Sequence, residues 1–167
     1  YVLRQYETLS TEVEEALKGA EAESSPTDIS LAEGTEDLEE VVKTAPVSKM
    51  VSVIMRHAVE GKASDVHIEP VGNETRVRYR IDGVLHTSLI LPKRVHSSLI
   101  ARIKVISNLK IDETRVPQDG RFKMTIEDRD IDYRVSTLPL IDAEKVVMRI
   151  LDTASATLEL DELGFWG

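Results

Sequence analysis

The 167-residue chain predicts an α/β fold, a mostly antiparallel sheet with helices packed on it, and three observations carry that reading. Apolar and polar residues alternate through a series of short stretches after residue 63, the period-two pattern of strands with one buried face. Two other stretches, following Pro46 and Pro92, space their apolar residues at the helical period instead. Tight-turn pairs such as Asp82-Gly83 separate successive strands, and connections this short join antiparallel neighbours.

Taken in order, residues 4–18 predict a short helix, with Ser10 or Thr11 as cap, acids in the first turn, and Val13, Ala16 and Leu17 at helical spacing. Residues 1–18 read as the tail of a preceding domain, because a single helix there finds nothing to pack on. Residues 19–45 have the composition of an acidic flexible linker. The folded domain is expected over residues 46–167. Pro46 suits the first turn of a helix, where its missing N–H costs nothing, and Gly61 is placed to end it. Val47, Met50, Val51, Ile54, Met55 and Ala58 form its apolar face.

The period then changes to two. In SDVHIEP, Val66 and Ile68 face one way and Asp65, His67 and Glu69 the other; Gly72-Asn73 turns the chain into TRVRYRI, where Val77, Tyr79 and Ile81 oppose Arg76, Arg78 and Arg80. Asp82-Gly83 forms a hairpin to the strand VLHTSLI. A second helix follows Pro92, with Val95, Leu99, Ile103 and Ile106 as its stripe and Lys93, Arg94, Arg102 and Lys104 on its other faces. In the loop DETRVPQDG, Pro117 fixes a backbone angle, Gly120 frees one, and Gln118 and Asp119 have side chains able to bond the loop's own amides. The strands RFKMTIE and DIDYRVST come next, joined around Asp128-Arg129. The last strand, EKVVMRIL, is apolar on both faces as a central strand is.

Charge divides the chain as the periodicity does. Twelve acids stand against three bases in residues 1–45, which carry all of the net charge of −9, while residues 46–167 are balanced. The absence of cysteine excludes disulfides and thiolate metal sites and is compatible with a reducing cytoplasm. No run of 18 apolar residues and no basic-then-apolar leader occurs, so a soluble, cytoplasmic protein is expected, with membrane association only through partners.

Five stretches recur together in one family: ASDVHIEP (63–70), VRYRIDGVL (77–85), RVPQDGR (115–121), DYRVSTLP (132–139) and EKVVMRIL (144–151). In this order and spacing, over roughly residues 45–164, they resemble the domain that precedes the motor core of the secretion ATPases of type II secretion and type IV pilus assembly. That resemblance implies a PAS-like arrangement of the sheet. It also implies a homohexameric parent that uses ATP and magnesium, a C-terminal P-loop motor domain, and an inner-membrane platform protein as partner. The only Gly-Lys, Gly61-Lys62, is followed by Ala63 and lacks the upstream glycine of a phosphate-cradling loop. The chain is therefore expected to stop short of the P-loop and to bind no cofactor strongly by itself. One departure stands out: the family's Gly-Glu-Lys before the last strand reads Ala143-Glu144-Lys145 here, and alanine resists the positive φ a glycine permits.

The strand alternation places Phe122, Met124 and Ile126 inward with Ile131, Tyr133 and Val135, so Arg121 and Arg134 both face out. If their strands pair, the two guanidinium groups share one side of the sheet. The resemblance implies that these two arginines reach nucleotide held by the motor domain, where a planar, permanently charged fork stabilises phosphoryl charge. Without it they are surface arginines paired with Asp119, Asp130 or Asp132. Arg76, Arg78, Arg80, Lys93, Arg94 and Arg102 suggest a basic patch, but a neutral folded part with only two Phe, four Tyr and one Trp in the chain favours a salt-bridged face or subunit interface over nucleic acid. His57, His67, His86 and His96 lack ligand spacing and read as structural or surface residues, not metal ligands. Asp65 and His67 read as turn and hydrogen-bond anchors. The alternatives to the ATPase domain are a PAS-like small-ligand sensor and a nucleic-acid adaptor.

Overall fold

The computed structural model describes residues 9–16, 18 and 35–152. Helix α1 covers residues 9–16, α2 runs Thr35–Glu60 and α3 His96–Ile106, the last entered through a 3-10 turn at Lys93–Val95. Six strands, β1 Asp65–Val71, β2 Glu74–Ile81, β3 Val84–Pro92, β4 Gln118–Ile126, β5 Arg129–Pro139 and β6 Glu144–Leu151, form one sheet in the order β3-β2-β1-β6-β5-β4. Every neighbouring pair is antiparallel, so this is the expected α/β architecture, with β6 and β1 at its centre.

The helices cover one face. Val66, Ile68, Val77, Tyr79, Ile131, Tyr133, Val135, Val146 and Met148 are buried there with Met50, Ile54, Met55 and Ala58 of α2 and Leu99, Ile100 and Ile103 of α3. The Tyr79 hydroxyl donates to the Ile54 carbonyl at 2.9 Å, satisfying a polar tip in an apolar layer. Phe122 and Tyr133 stack with ring centroids 4.7 Å apart, closing the core under the β4–β5 hairpin.

Several expectations change. Helix α2 begins at Thr35, so Pro46 lies inside it and the helix takes in residues 35–45 of the segment read as linker; residues 19–34 and 153–167 lie outside the described residues. No glycine interrupts residues 35–60. Helix α1 does have something to pack on: Leu9, Val13 and Ala16 are buried in the common core, and Glu12 pairs with Arg56 of α2.

The turn between β4 and β5 is Glu127-Asp128, one residue earlier than expected, and both residues have positive φ, as do Asp82 and Gly83 in the β2–β3 turn. Gly120 is not at positive φ. Space demands it instead, since a Cβ there would sit 2.6 Å from the Ser107 carbonyl oxygen and 2.8 Å from Leu109. Ala143 is also free of positive φ, and its carbonyl accepts from the Leu140 amide at 2.8 Å, so alanine at the family's glycine position brings no backbone strain.

Candidate functional site

Among the described residues no element covers the face opposite the helices, and strand register decides which side chains meet on it. On β1 and β2, Asp65 lies opposite Arg80, His67 opposite Arg78 and Glu69 opposite Arg76. The β1 acids hold most of this charge: Arg80 lies 3.3 Å from Asp65, Arg78 pairs with Glu69, and Lys145 of β6 reaches Glu69 at 3.3 Å. Burial by itself would raise the Asp65 carboxyl, but the Ser64 hydroxyl, Arg149 and Arg80 outweigh it and hold the group below the usual carboxylate value. Glu69 is treated alike, with burial opposed by Arg78 and Lys145. Arg78 and Arg80 of the basic patch are therefore salt-bridged, while the Nε of Arg76 is buried without a hydrogen bond.

Asp65 is an anchor as expected. His67 makes no such anchor: its Nδ1 is buried without a hydrogen bond, and burial followed by the Lys145 charge holds its pKa below the ordinary histidine value. His96 is the structural histidine, its ring spanning Thr75 Oγ1 at 3.1 Å and the Glu144 carbonyl at 2.8 Å. Among the described residues no group of three His, Asp or Glu is arranged to hold a metal ion.

On β4 and β5, Arg121 lies directly opposite Arg134, and both side chains are exposed. The acids that offered them partners are engaged elsewhere. Asp119 accepts from Ser136, Asp130 accepts from Thr125 at 2.8 Å, and Asp132 lies 3.6 Å from Lys123. Neither arginine has a hydrogen bond or ion pair among the described residues. The row continues beyond them: Arg134 is opposite Arg149 of β6, and Arg149 is opposite Asp65 of β1. Three arginines thus stand on adjacent strands within about 10 Å, where like charges directly opposite are destabilising. An arrangement that costs the fold stability and leaves Arg121 and Arg134 without a partner among the described residues is suited to an anion from outside.

The loop behind Arg121 is rigidly built. Gln118 accepts from the Lys110 amide at 2.9 Å and donates to the Lys110 and Glu113 carbonyls at 2.9 and 2.8 Å, tying the VPQDGR segment to the loop that follows α3. Sequence reasoning missed one residue here. Lys104, read as a surface cation, is 1% exposed, with its Nζ 2.6 Å from Glu144 and donating to the Glu113 carbonyl at 2.8 Å. The signal was its spacing: His96, Ile100, Ile103, Lys104 and Ser107 share the buried face.

Known proteins match most of this chain. The family described as Type II/IV secretion system protein matches residues 40–166. Type II secretion system protein E of Xanthomonas campestris pv. campestris is 40% identical over 147 residues, 88% of this chain and 26% of that protein. The type IV pilus assembly ATPase PilB of Myxococcus xanthus is 41% identical over 137 residues, 80% of this chain and 24% of its own length. A putative type II secretion system protein E of Escherichia coli K12 is 46% identical over 129 residues, 77% of this chain and 26% of that protein. The chain spans about a quarter of the length of these relatives. With its motifs, its antiparallel sheet and a family match over three quarters of its residues, the chain belongs to the type II/IV secretion system protein family.

Proposed function

We propose that this chain is the domain preceding the motor core of a secretion ATPase, and that Arg121 and Arg134 serve nucleotide bound by that motor. The observation that carries the reading is the exposed pair of guanidinium groups directly opposite each other on β4 and β5, without a partner among the described residues. Their residues fit phosphate oxygens, to which an arginine fork donates two parallel hydrogen bonds. ATP with magnesium, held by a P-loop domain elsewhere in the protein, supplies the transferable phosphoryl group. The chain's own part is to place two permanent positive charges where negative charge grows in the transition state, on a hairpin braced by the Gln118 contacts.

In this reading the domain is PAS-like, its open face turned towards a motor domain, and the protein assembles as a homohexamer. The sheet transmits motor movement to an inner-membrane platform protein in pilus assembly or secretion. Among the described residues no helix is long and apolar enough to cross a membrane, which is consistent with attachment through that partner. The relatives named as type II secretion and type IV pilus proteins support both settings equally.

The test is ATP turnover by the full-length protein carrying Arg121→Ala or Arg134→Ala. Both should lose turnover strongly while the domain melts as the wild type does. Wild-type turnover in both variants defeats the reading. Arg→Lys keeps charge but not the planar fork, so full rescue by lysine would reduce the role to a general positive field.

A further inference from the structure

The row holds a third arginine, and its surroundings differ from those of the other two. Arg149 of β6 lies opposite Arg134 on one side and Asp65 on the other. Its Nε donates to Asp65 Oδ1 at 3.1 Å, and that is its contact among the described residues. The side chain is 68% exposed and the carboxylate 9%. The guanidinium is therefore fixed at its stem while the four donors on its two Nη atoms have no partner among the described residues.

Asp65 is itself held. Ser64 Oγ donates to its Oδ2 at 2.8 Å, and Arg80 Nε lies 3.3 Å from the same oxygen. A buried, doubly anchored carboxylate that orients an exposed arginine reduces the freedom the arginine loses on gripping a ligand. Arg121 and Arg134 have no such support.

We infer that Arg149, oriented by Asp65, is a third phosphate-binding guanidinium, so that the row Arg121, Arg134, Arg149 grips more than one phosphoryl group of a polyphosphate chain. This rests on the functional reading above and extends it. Three forks on adjacent strands cover about 10 Å, more than one phosphoryl group occupies, and neighbouring forks reach neighbouring groups. Arg149 is a binding residue in this scheme, and Asp65 is a positioning residue acting through it.

The experiment measures steady-state ATP turnover and thermal melting in the full-length protein for Arg149→Ala, Arg149→Lys, Asp65→Asn and the double variant Asp65→Asn/Arg149→Ala, beside Arg121→Ala. Arg149→Ala should lower kcat/KM by roughly 10²-fold, the scale of losing one preorganised donor, with little change in melting. Lysine should recover only part of that. Asp65→Asn should lower kcat/KM in the wild-type background and add nothing once Arg149 is alanine, a coupling that a merely structural aspartate would not show. If Asp65→Asn does not fold, the lysine variant carries the test, and full rescue by lysine counts against the inference.

Turnover within twofold of wild type in Arg149→Ala overturns the inference, whatever Arg121→Ala does. Loss in Arg149→Ala with wild-type turnover in Arg121→Ala and Arg134→Ala would defeat both the assignment of those two residues and the three-arginine row, leaving Arg149 as a single phosphate-binding arginine.

Discussion

The open face of the sheet has two arginine-bearing halves built from the same residue types. On β1 and β2, the arginines Arg78 and Arg80 stand beside Glu69 and Asp65 and are neutralised by them. On β4 and β5, Arg121 and Arg134 stand beside each other, and nearby Asp119, Asp130 and Asp132 are taken by Ser136, Thr125 and Lys123. Composition is the same in kind. What differs is which strand is the neighbour, and with it whether a positive charge is paired within the sheet or left without a partner among the described residues.

The largest test of this contrast exchanges the halves by function. Arg121→Ala and Arg134→Ala should each cost about 10³-fold or more in turnover of the full-length protein and almost nothing in stability. Arg78→Ala should do the reverse, leaving turnover near wild type and costing about 0–1 kcal/mol in urea unfolding, as surface pairs do. Equal losses of turnover from both halves would break the comparison.

Next in size is the buried pair below the sheet. Lys104→Ala leaves Glu144 charged and buried, so unfolding in urea should show a loss of about 3–5 kcal/mol. Lys104→Met with Glu144→Leu should lose less than either single change, since removing both charges removes the desolvation cost. A loss below about 1 kcal/mol for Lys104→Ala would mean that water reaches the pair.

A smaller effect is expected at Gly120→Ala, where the new methyl meets the Ser107 carbonyl oxygen. Overpacking of this kind costs about 1–3 kcal/mol. Because the strain is at the base of the Arg121 strand, turnover should fall along with melting temperature. A variant that melts as wild type would show that the α3–β4 loop moves freely away from β4.

The smallest effect is the pH dependence of the neutralised half. His67 is held below its ordinary value of 6.5, first by burial and then by Lys145, so the unfolded chain binds the proton more readily. Stability should therefore begin to fall as pH drops below about 6.5, and His67→Gln should remove that first step. Asp65 and Glu69 are depressed carboxylates, so their contribution is complete above their unfolded values and is lost as pH falls through the folded ones, giving a second, more acidic step. A single acid transition unchanged by His67→Gln would contradict the first assignment.

Local chemistry settled the strands, the turn at Asp82-Gly83 and the outward direction of Arg121 and Arg134, because a strand's side chains alternate whatever it pairs with. It also exposed the family through short motifs. It misjudged where α2 begins, since a proline lacks the N–H that a helix interior uses and so pointed to a first turn, whereas Pro46 lies inside Thr35–Glu60. Lys104 looked like a solvated cation because its counter-charge, Glu144, lies 40 residues away in sequence and meets it only when α3 packs on β6. The same limit applies to the arginines. Their types and directions are properties of single strands, but their partners are not: the strand order β2-β1-β6-β5-β4 sets Asp65 between Arg80 and Arg149 and leaves Arg134 between two other arginines. Ion pairing acts over a few ångströms, so which charges are quenched and which stay available is decided by tertiary pairing.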